Sequence, residues 1–472
     1  MDENILAWSL SKLAHRRFAI WAFLGVLLIA VSLFTVLKPY NGLDLPLLTL
    51  HWSRGINLKM LSILGADDDQ KSILQSGEVI QPKKFEPFLV PICNFSEDKS
   101  DFCEIKGDIR IQGNSSSIFF TSPQIGTVQK NNTRWTIKLY ARKTDKYAMA
   151  EDEDLLLKPA LSDQEMPRCT VNHTIPAVVF SGRGYTGNFF HDFSDVMIPL
   201  YLTAGDFNRE VQFLFEKKHR KWWINKYSPI LKALSTHEII ELDNDQEIRC
   251  FKNALIGLKS HKDFDIDPEK PPFGNSLRNF TKLVRRAYSL QREKATKLTA
   301  QDKRKPRLLI ISRKGTRLLV NEDEVAAEAQ SLGFDVEAME LMNDLRVFSK
   351  RVNSFDVIVG VHGAGLTNMV FLPENAVLIQ VVPLGLEWLA KAYFEHPAKD
   401  MNIKYLEYKI NKNESSLIEQ YPIDHPVITD PSLLKKEGYG KFKSIYLDSQ
   451  NVRLDVSRFR GLLLEALQLV QG

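Results

Sequence analysis

A run of twenty residues without a charged side chain, Phe18–Leu37, restricts this sequence more than any other feature. Twenty helical residues span about 30 Å, which is the thickness of the hydrocarbon core of a bilayer. No second run of this length follows, so we expect the remaining chain on one side of a membrane. A cleaved signal peptide is the alternative, but its apolar part is shorter, and no small-x-small cleavage pattern precedes Lys38-Pro39. The sequence therefore predicts an uncleaved anchor.

The side of the membrane follows from glycosylation sequences rather than from flanking charges, which are nearly balanced between the two ends of the run. All six Asn-x-Ser/Thr sequences lie beyond the run, at Asn94, Asn114, Asn131, Asn172, Asn279 and Asn413. This distribution makes sense if that side is the secretory lumen. We therefore predict a cytosolic tail over 1–17, a transmembrane signal anchor over 18–37 and a lumenal body, as in an endoplasmic reticulum or Golgi enzyme.

The composition is that of an ordinary globular chain, with 472 residues of which 44% are hydrophobic and 25% are charged. Only 4 cysteines are present, so disulfides can be an accessory to the core but not its framework. In an oxidising lumen Cys93 can pair with Cys103, and Cys169 with Cys250, while buried free thiols are the alternative. The net charge of +4 is spread along mixed runs, which argues against nucleic acid as a partner.

The body divides into a stem and two α/β units. Residues 38–86 show no sustained hydrophobic period and are predicted to be a stem. Over 87–290 we predict short strands within 110–112, 135–140, 177–180 and 211–215, a helical run from Gly187 to Tyr201, and a helix over 227–234 with Pro229 in its first turn. The proline- and glycine-rich stretch 261–279 is predicted to be a loop before the next unit.

The alternation of strand and helix is clearer over 305–450. Apolar strands are predicted at 307–311, from Val336, and at 356–361, 376–382 and 404–410, and Asn321 is predicted to cap a helix that ends at Gly333. Such alternation predicts a parallel sheet covered on both faces. Within 451–472 an amphipathic helix is expected to pack back onto the body. The predicted fold is α/β, with two open α/β halves that face each other across a ligand cleft at the carboxyl ends of their strands.

The sharpest local feature is the segment Val359–Asn368, in which a buried strand turns through two glycines into a helix. Backbone N–H groups and the positive end of the helix dipole make such a turn an anion site, and an ordinary tight turn is the alternative. The segment Ser312–Arg317 follows another strand of the same unit. Its three cations can hold a diphosphate, and a solvated basic loop is the alternative.

In the first unit His191 and Asp195 stand four residues apart, on one face of the predicted helix. A histidine with a carboxylate one turn away can serve as a general base with an orienting partner, although such pairs also occur as simple helix ion pairs. We prefer Asp195 as the base by a small margin. Asp-x-Asp patterns at 243–245 and 263–265 are weak metal candidates, and the Cys and His spacing predicts no zinc site.

Taken together and in this order, several of these segments resemble glycosyltransferase family 61, with the plant members that decorate xylan in the Golgi as the best match. The segments are His362–Pro373, Gly187–Asp195, Leu309–Arg313, Gln450–Asp455, Cys93–Arg110 and Tyr421–His425. Met369 departs from the cysteine of many relatives. The resemblance covers the chain from about Cys93 onward, and implies two Rossmann-like domains of the GT-B type, a nucleotide-sugar donor and inversion at the anomeric carbon. The candidate donor-binding residues are Arg313, Lys314, Arg317, His362, Gly363, Ala364, Gly365, Leu366 and Thr367.

The predicted function is that of a single-pass Golgi membrane glycosyltransferase that moves a pentose, arabinofuranose or xylose, from a UDP-sugar to the xylan backbone of plant cell walls. The expected partners are the UDP-pentose donor, the xylan acceptor, the membrane and a Golgi glycosyltransferase complex. No metal cofactor is expected. The alternatives are a β-1,2-xylosyltransferase of the N-glycan core, and a non-catalytic scaffold subunit of a xylan synthase complex.

Overall fold

The computed structural model describes residues 92–121, 135–160, 163–216, 221–295, 297–298, 304–340 and 344–471. The predicted tail, anchor and stem, and the glycosylation sequence at Asn131, lie outside these ranges. Within them, no helix combines the length and the apolar character that crossing a membrane requires. The described residues all belong to one unit of the chain, Phe85–Gly472.

The first sheet has ten strands and is mixed. They are β1 Cys93–Asn94, β2 Phe102–Gln112, β3 Ser117–Thr121, β4 Trp135–Lys138, β5 Asp154–Pro159, β6 Val171–Asn172, β7 Ala177–Ser181, β8 Gln212–Glu216, β9 Ile240–Glu241 and β10 Ile248–Ile256. The order is β4-β5-β3-β2-β10-β7-β8-β9, with β1 on β2 and β6 on β10.

Only part of this sheet has the parallel pairing of a Rossmann-like unit. Strands β7, β8, β9 and β10 form parallel pairs, whereas β2 is antiparallel to both β3 and β10. The chain passes from β2 to β3 through a single short 3-10 turn, Gly113–Ser115. A connection this short permits only an antiparallel pair, because a parallel pair needs a long crossover. Each of the four strands predicted in this half overlaps an observed strand, but the sheet is not the parallel sheet of a Rossmann-like domain.

The helices of this half are α1 Lys146–Ala150, α2 Phe189–His191, α3 Ile198–Ala204, α4 Lys221–Leu234 and α5 Leu277–Ala287. Two predicted boundaries are wrong. Helix α4 starts well before Tyr227, so Pro229 lies in its interior rather than in its first turn. Helix α5 starts inside the predicted loop, because the side chain of Ser276 caps it by accepting a hydrogen bond from the N–H of Asn279.

The second sheet is entirely parallel, as predicted, and has the order β12-β11-β13-β14-β15. Its strands are β11 Arg307–Ile311, β12 Asp335–Met339, β13 Val357–Val361, β14 Val377–Val382 and β15 Lys404–Lys409. Every residue of β13 and β14 is buried, as expected for central strands with both faces covered.

Helices of the second half surround this sheet: α6 Glu322–Ser331, α7 Leu345–Asn353, α8 Glu387–Ala390, α9 His396–Asp400, α10 Pro426–Thr429, α11 Pro431–Lys436, α12 Tyr439–Phe442 and α13 Val456–Gln471. Asn321 stands at the start of α6 but does not cap it. Instead its side-chain amide is hydrogen-bonded to the backbone N–H and C=O of Leu454. The amide thereby ties the terminal segment to the sheet.

The terminal helix α13 packs back onto the second half, which confirms its amphipathic pattern. Its buried residues Phe459, Leu463, Ala466 and Val470 lie in one hydrophobic cluster with residues of β11, β13 and β14. A larger cluster joins the two halves, since it contains Phe180 of β7 and Leu309 of β11. Glu374 adds a polar link by accepting hydrogen bonds from Arg278 and Arg285 of α5. The two sheets are therefore parts of one continuous body.

Candidate active site

The helix that carries His191 and Asp195 starts where the side chain of Asn188 accepts a hydrogen bond from the N–H of Phe190. After α2 the helix widens to π-helical geometry over Asp192–Met197 and continues as α3. Short π-helical segments occur frequently at functional sites. Here the segment holds His191 and Asp195 in direct contact, with Nδ1 of the histidine 2.8 Å from Oδ2 of the aspartate.

Asp195 is fully buried and surrounded by hydrogen-bond donors. Oδ2 accepts from Tyr140 Oη at 2.8 Å, and Oδ1 accepts from Arg142 Nη1 at 3.2 Å. Burial alone would raise the pKa of Asp195, but the guanidinium of Arg142, with His191 and Tyr140, outweighs burial and lowers this pKa to about 2. The carboxylate therefore stays ionised at every physiological pH. Because an ionised carboxylate only accepts hydrogen bonds, Nδ1 of His191 must carry a proton.

Arg142 is the central cation of this cluster. Besides Asp195, its guanidinium contacts Asp145 through Nε at 3.1 Å and Asp263 through Nη1 at 3.1 Å. Asp263 also accepts from Lys99 Nζ at 2.5 Å. The pKa of Arg142 is raised, because these carboxylates outweigh the opposing effect of its burial. The cluster is thus an alternating network of charges that ends at His191.

Asp192 anchors the same helix to the first half. It is fully buried and accepts hydrogen bonds from the N–H of Gly187 at 2.7 Å, from Trp223 Nε1 at 2.9 Å and from Tyr227 Oη at 2.6 Å. Trp223 and Tyr227 belong to α4, so Asp192 fixes the orientation of the His191 helix relative to that helix. This role, like those of Tyr140 and Arg142, has no signal in the sequence, because the partners are far apart along the chain.

Aromatic side chains place His191 at the boundary between the two halves. The neighbouring ring of Phe190 lies 4.7 Å from that of Tyr393 and 5.9 Å from that of Phe394, both in the second half. On the other side, the ring of Tyr185 lies 4.7 Å from the imidazole of His191. The ring of Phe394 is also 5.3 Å from the imidazole of His362, so a single phenyl ring connects this site to the glycine turn.

The glycine turn follows β13 and has the predicted strand–turn–helix form, with a 3-10 helix over Ala364–Phe371. Gly363 has a φ of 146°, a conformation that favours glycine. A Cβ atom added to Gly363 would lie 2.8 Å from Nη1 of Arg313 and 3.2 Å from Nη1 of Arg317. The two guanidinium groups therefore lie directly over this glycine.

Arg313 and Arg317 are cations without a salt bridge to any carboxylate in the described ranges. Arg313 donates from Nε to the carbonyl of Thr316, and Arg317 donates from Nη1 to the carbonyl of His362. Burial lowers the pKa of Arg313, while burial and then the neighbouring Arg313 lower the pKa of Arg317 to about 10. Two half-buried cations this close together, neither of them in a salt bridge with a described carboxylate, form a site that favours an anion.

Unsatisfied polar atoms mark the same place. Nε of Arg317 and Oγ1 of Thr367 are buried and have no hydrogen-bond partner among the described residues. Arg317 also has a φ of 56°, which is uncommon for a residue with a side chain. Strained residues and unpaired buried donors are both typical of ligand-binding sites.

Not all candidate donor-binding residues come together here. The side chain of Lys314 is 81% exposed and forms a salt bridge with Glu340, so it lies away from the two arginines. Leu366 is completely buried and belongs to the hydrophobic core, where Gly360 lies against its methyl group. A Cβ added to Gly365 would meet Ile311 rather than a ligand. The structure therefore brings together Arg313, Arg317, His362 and Gly363. Lys314 and Leu366 lie away from the arginine pair, and Gly365 packs against Ile311. Ala364, which is only partly buried, and Thr367 belong to the 3-10 helix that follows Gly363.

One residue of the second half lies within electrostatic range of both clusters. Tyr439 of the second half interacts electrostatically with Arg142 and Asp145 of the first half, and with Arg317 of its own half. Beside Asp263 a cavity of about 590 Å³ opens between the halves, and its walls include Lys99 and His261 on one side and His396 on the other. Residues of both halves therefore line this cavity.

The Asp-x-Asp candidates have protein partners instead of a free ligand set. Asp245 forms a salt bridge with Arg249 at 2.5 Å, and Asp243 lies 3.7 Å from Arg183. Asp263 is neutralised by Lys99 and Arg142, as described above. Asp265 lies next to Asp400, and burial with this second carboxylate raises the pKa of Asp265 to about 7. Within the described part of the chain, no group of three or more His, Cys, Asp or Glu residues has the arrangement of a metal site.

The cysteines and glycosylation sequences can also be placed. Disulfides join Cys93 to Cys103 and Cys169 to Cys250. Of the five described glycosylation sequences, Asn94 is half-buried, and four have an exposed asparagine: Asn114, Asn172, Asn279 and Asn413.

This architecture defines the class of protein: a mixed α/β body with a glycine turn under two arginines in one half and a histidine–aspartate pair in the other. Comparison with known proteins gives the family. A family model with the description "Glycosyltransferase 61" matches residues 189–379. The β-1,2-xylosyltransferase XYXT1 of Oryza sativa subsp. japonica is 43% identical over 418 residues, which cover 86% of this chain and 88% of the relative. The chain therefore belongs to glycosyltransferase family 61.

Two further relatives are also named as glycosyltransferases. The α-1,3-arabinosyltransferase XAT2 of Oryza sativa subsp. japonica is 44% identical over 80% of this chain, and the match spans 64% of the length of XAT2. The xylan glycosyltransferase MUCI21 of Arabidopsis thaliana is 38% identical over 79% of this chain, and the match spans 78% of the length of MUCI21. Among solved structures, the iron-containing glycosyltransferase TibC of enterotoxigenic E. coli is similar to this chain with 10% sequence identity. The match covers 66% of this chain and 80% of TibC, but its TM-score of 0.25 is too low to carry an argument.

Proposed function

We propose that this protein is an inverting glycosyltransferase that transfers a pentose, arabinofuranose or xylose, from a UDP-sugar onto the xylan backbone. The observation that carries the proposal is the pair of arginines over Gly363, which form no salt bridge with a carboxylate among the described residues. Membership of family 61 and the names of the xylan-directed relatives support the substrate class.

In this proposal the diphosphate of the donor binds at the glycine turn. Arg313 and Arg317 neutralise its charge, and Gly363 allows the backbone to approach it closely. The same contacts strengthen as the glycosidic bond breaks, because negative charge then develops on the leaving UDP. Two fixed guanidinium groups can carry out this stabilisation, so we propose that the enzyme needs no divalent metal.

His191 is proposed as the general base, with Asp195 as the residue that orients it. This reverses our preference from the sequence alone. A carboxylate with a pKa of about 2 is a weak base, and its oxygens already accept three hydrogen bonds. The proton on Nδ1 leaves Nε2 of His191 unprotonated in the neutral ring, and no described residue is hydrogen-bonded to it.

The reaction then follows from the placement of the groups. The acceptor hydroxyl gives its proton to Nε2 of His191, and the hydroxyl oxygen attacks the anomeric carbon of the donor. The bond from this carbon to the UDP oxygen breaks on the opposite face, where the arginines lie. Attack from one side and departure from the other invert the configuration at this carbon.

The finer architecture and location are also proposals. The two halves, 87–290 and 305–450, correspond to the acceptor and donor domains of a GT-B fold, which the parallel second sheet and the cleft between the halves support. The apolar run 18–37 supports a single-pass Golgi membrane protein of type II orientation with a lumenal body. The exposed glycosylation sequences are consistent with this orientation.

An assay of UDP release tests the proposal. The full chain is incubated with UDP-arabinofuranose or UDP-xylose, either alone, with xylo-oligosaccharides or with an N-glycan acceptor, in the presence and absence of EDTA. We expect UDP release that depends on the xylo-oligosaccharide, persists in EDTA and is absent from a His191→Ala variant. Release that occurs only with an N-glycan acceptor would identify the alternative enzyme. A complete absence of release with every pair of substrates would favour a scaffold role.

A further inference from the structure

Gln380 is a polar residue in the middle of an apolar strand. Strand β14 reads Val-Leu-Ile-Gln-Val-Val and lies between β13 and β15, with every residue buried. The side chain of Gln380 has no solvent exposure. Burying an amide costs free energy unless its donor and acceptor atoms find partners, so a buried glutamine at this position needs an explanation.

The partners of this amide are specific. Nε2 of Gln380 lies 2.7 Å from Nδ1 of His362, and Oε1 accepts a hydrogen bond from Tyr405 Oη at 2.9 Å. An amide NH₂ group can only donate, so Nδ1 of His362 must accept. In a neutral imidazole the single proton then resides on Nε2.

The imidazole of His362 is neutral. It is 3% exposed, and burial together with Arg317 and Arg313 lowers its pKa to about 3. A protonated histidine beside these two arginines would add a third positive charge to the site. Gln380 is a partner that can donate to the imidazole without adding charge, whereas a carboxylate at this position would favour the imidazolium.

We propose that Gln380 is a positioning residue that holds His362 in its Nε2–H tautomer, so that an uncharged imidazole donates a hydrogen bond to an oxygen of the donor's diphosphate. This inference rests on the proposed donor site at Arg313 and Arg317. In the opposite tautomer the lone pair of Nε2 would face an anionic oxygen and repel it. The correct tautomer therefore contributes to donor affinity although Gln380 itself lies too deep to touch the donor.

The experiment combines a spectroscopic signature with an affinity. The full chain is labelled with ¹⁵N-histidine, and the resonances of His362 are assigned by their loss in a His362→Gln variant. We expect the signature of an Nε2–H imidazole in the wild-type protein. Gln380→Met, which keeps the volume and removes the amide, should abolish the single tautomer and raise the Kd for UDP about tenfold.

Gln450 provides a matched control. It is also fully buried in the second half, and its amide is hydrogen-bonded to the backbone of Leu384. Gln450→Met should lower thermal stability but leave both the His362 signature and the Kd for UDP unchanged.

An Nδ1–H signature in the wild-type protein overturns the inference, and so does equal UDP affinity in the Gln380→Met and Gln450→Met variants. The wild-type spectrum is decisive even where a variant does not fold. If the proposed donor site itself is wrong, the wild-type chain does not bind UDP at all. This result is distinguishable from a wrong tautomer of His362 in a chain that binds UDP.

Discussion

Nδ1 of His191 lies 2.8 Å from Oδ2 of Asp195, and this carboxylate is held ionised by Arg142 on its other oxygen. The contact determines which atom of the imidazole is free to take a proton. It also explains why the two residues have unequal roles although they stand on the same helical face.

Removing the base tests this relationship first. His191→Ala should lower the rate of transfer by about 10²–10⁴-fold, which is the usual cost of losing a general base, while the Kd for UDP stays unchanged. Asp195→Asn should cause a loss of similar size, because the asparagine amide no longer enforces the proton on Nδ1. His237→Ala is the control, since His237 is a half-exposed histidine paired with Glu210 at another place. Near-normal transfer by both His191→Ala and Asp195→Asn would remove this helix from the mechanism.

Much of this site follows from the sequence because its parts are local. The i,i+4 spacing places His191 beside Asp195, and the buried strand with two glycines predicts the turn at Gly363. The partners that set the chemistry are not local. Tyr140 and Arg142 reach Asp195 from a loop more than fifty residues earlier, and no periodic pattern marks them.

The sequence also could not distinguish which cations face inward. Arg313, Lys314 and Arg317 look equivalent in one short turn, yet only the two arginines lie over Gly363, while Lys314 is exposed. The positive φ of Arg317 sets the direction of the chain there, and tertiary packing selects this conformation. Similarly, the hairpin between β2 and β3 follows from a short connection that a search for α/β alternation overlooks.

The difference between Arg313 and Lys314 gives the second prediction. Arg313→Ala should weaken UDP binding by about 1.5–3 kcal/mol, the usual contribution of hydrogen bonds to a charged group. Lys314→Ala should leave the affinity unchanged, because the exposed ammonium group of Lys314 is paired with Glu340. Isothermal titration with UDP measures both. Equal losses in the two variants would mean that only the overall charge of the turn matters.

The third prediction concerns the space over Gly363. Gly363→Ala should weaken UDP binding at least as strongly as Arg313→Ala, because the new methyl group displaces both guanidinium groups and the φ of 146° strains an alanine. Gly315→Ala is the matched control in the adjacent turn, where an added Cβ meets no atom within 4 Å. Titration with UDP gives the Kd of both variants, and only Gly363→Ala should bind UDP more weakly when the two have equal thermal stability. A Gly363→Ala variant with wild-type affinity would place the donor elsewhere.

Glycosylation provides the fourth prediction and tests the orientation of the body. Protein expressed in a eukaryotic secretory pathway should lose apparent mass on endoglycosidase treatment, because four described acceptor asparagines are exposed. Changing Asn114, Asn172, Asn279 and Asn413 together to Gln should remove most of this shift. Protease added to sealed vesicles should remove only the short tail. An unglycosylated body that the protease digests would reverse the predicted orientation.

The last prediction uses the lowered pKa of His362. In the folded protein this pKa is about 3, whereas an unperturbed histidine titrates at about 6.5. Between these values the unfolded chain binds one proton more than the folded chain at this residue, so the stabilisation is fully present above about pH 6.5 and is lost as the pH falls toward 3. The free energy of unfolding should therefore decrease by up to about 1.4 kcal/mol for each pH unit below 6.5 through this group alone. In a His362→Gln variant the free energy of unfolding should fall less steeply with decreasing pH, because one fewer proton binds on unfolding. Above pH 7 the plots of this free energy against pH should be parallel for the two proteins. Denaturant unfolding at a series of pH values measures the difference, and curves that stay parallel from pH 4 to 6.5 would show that His362 titrates normally in the folded protein.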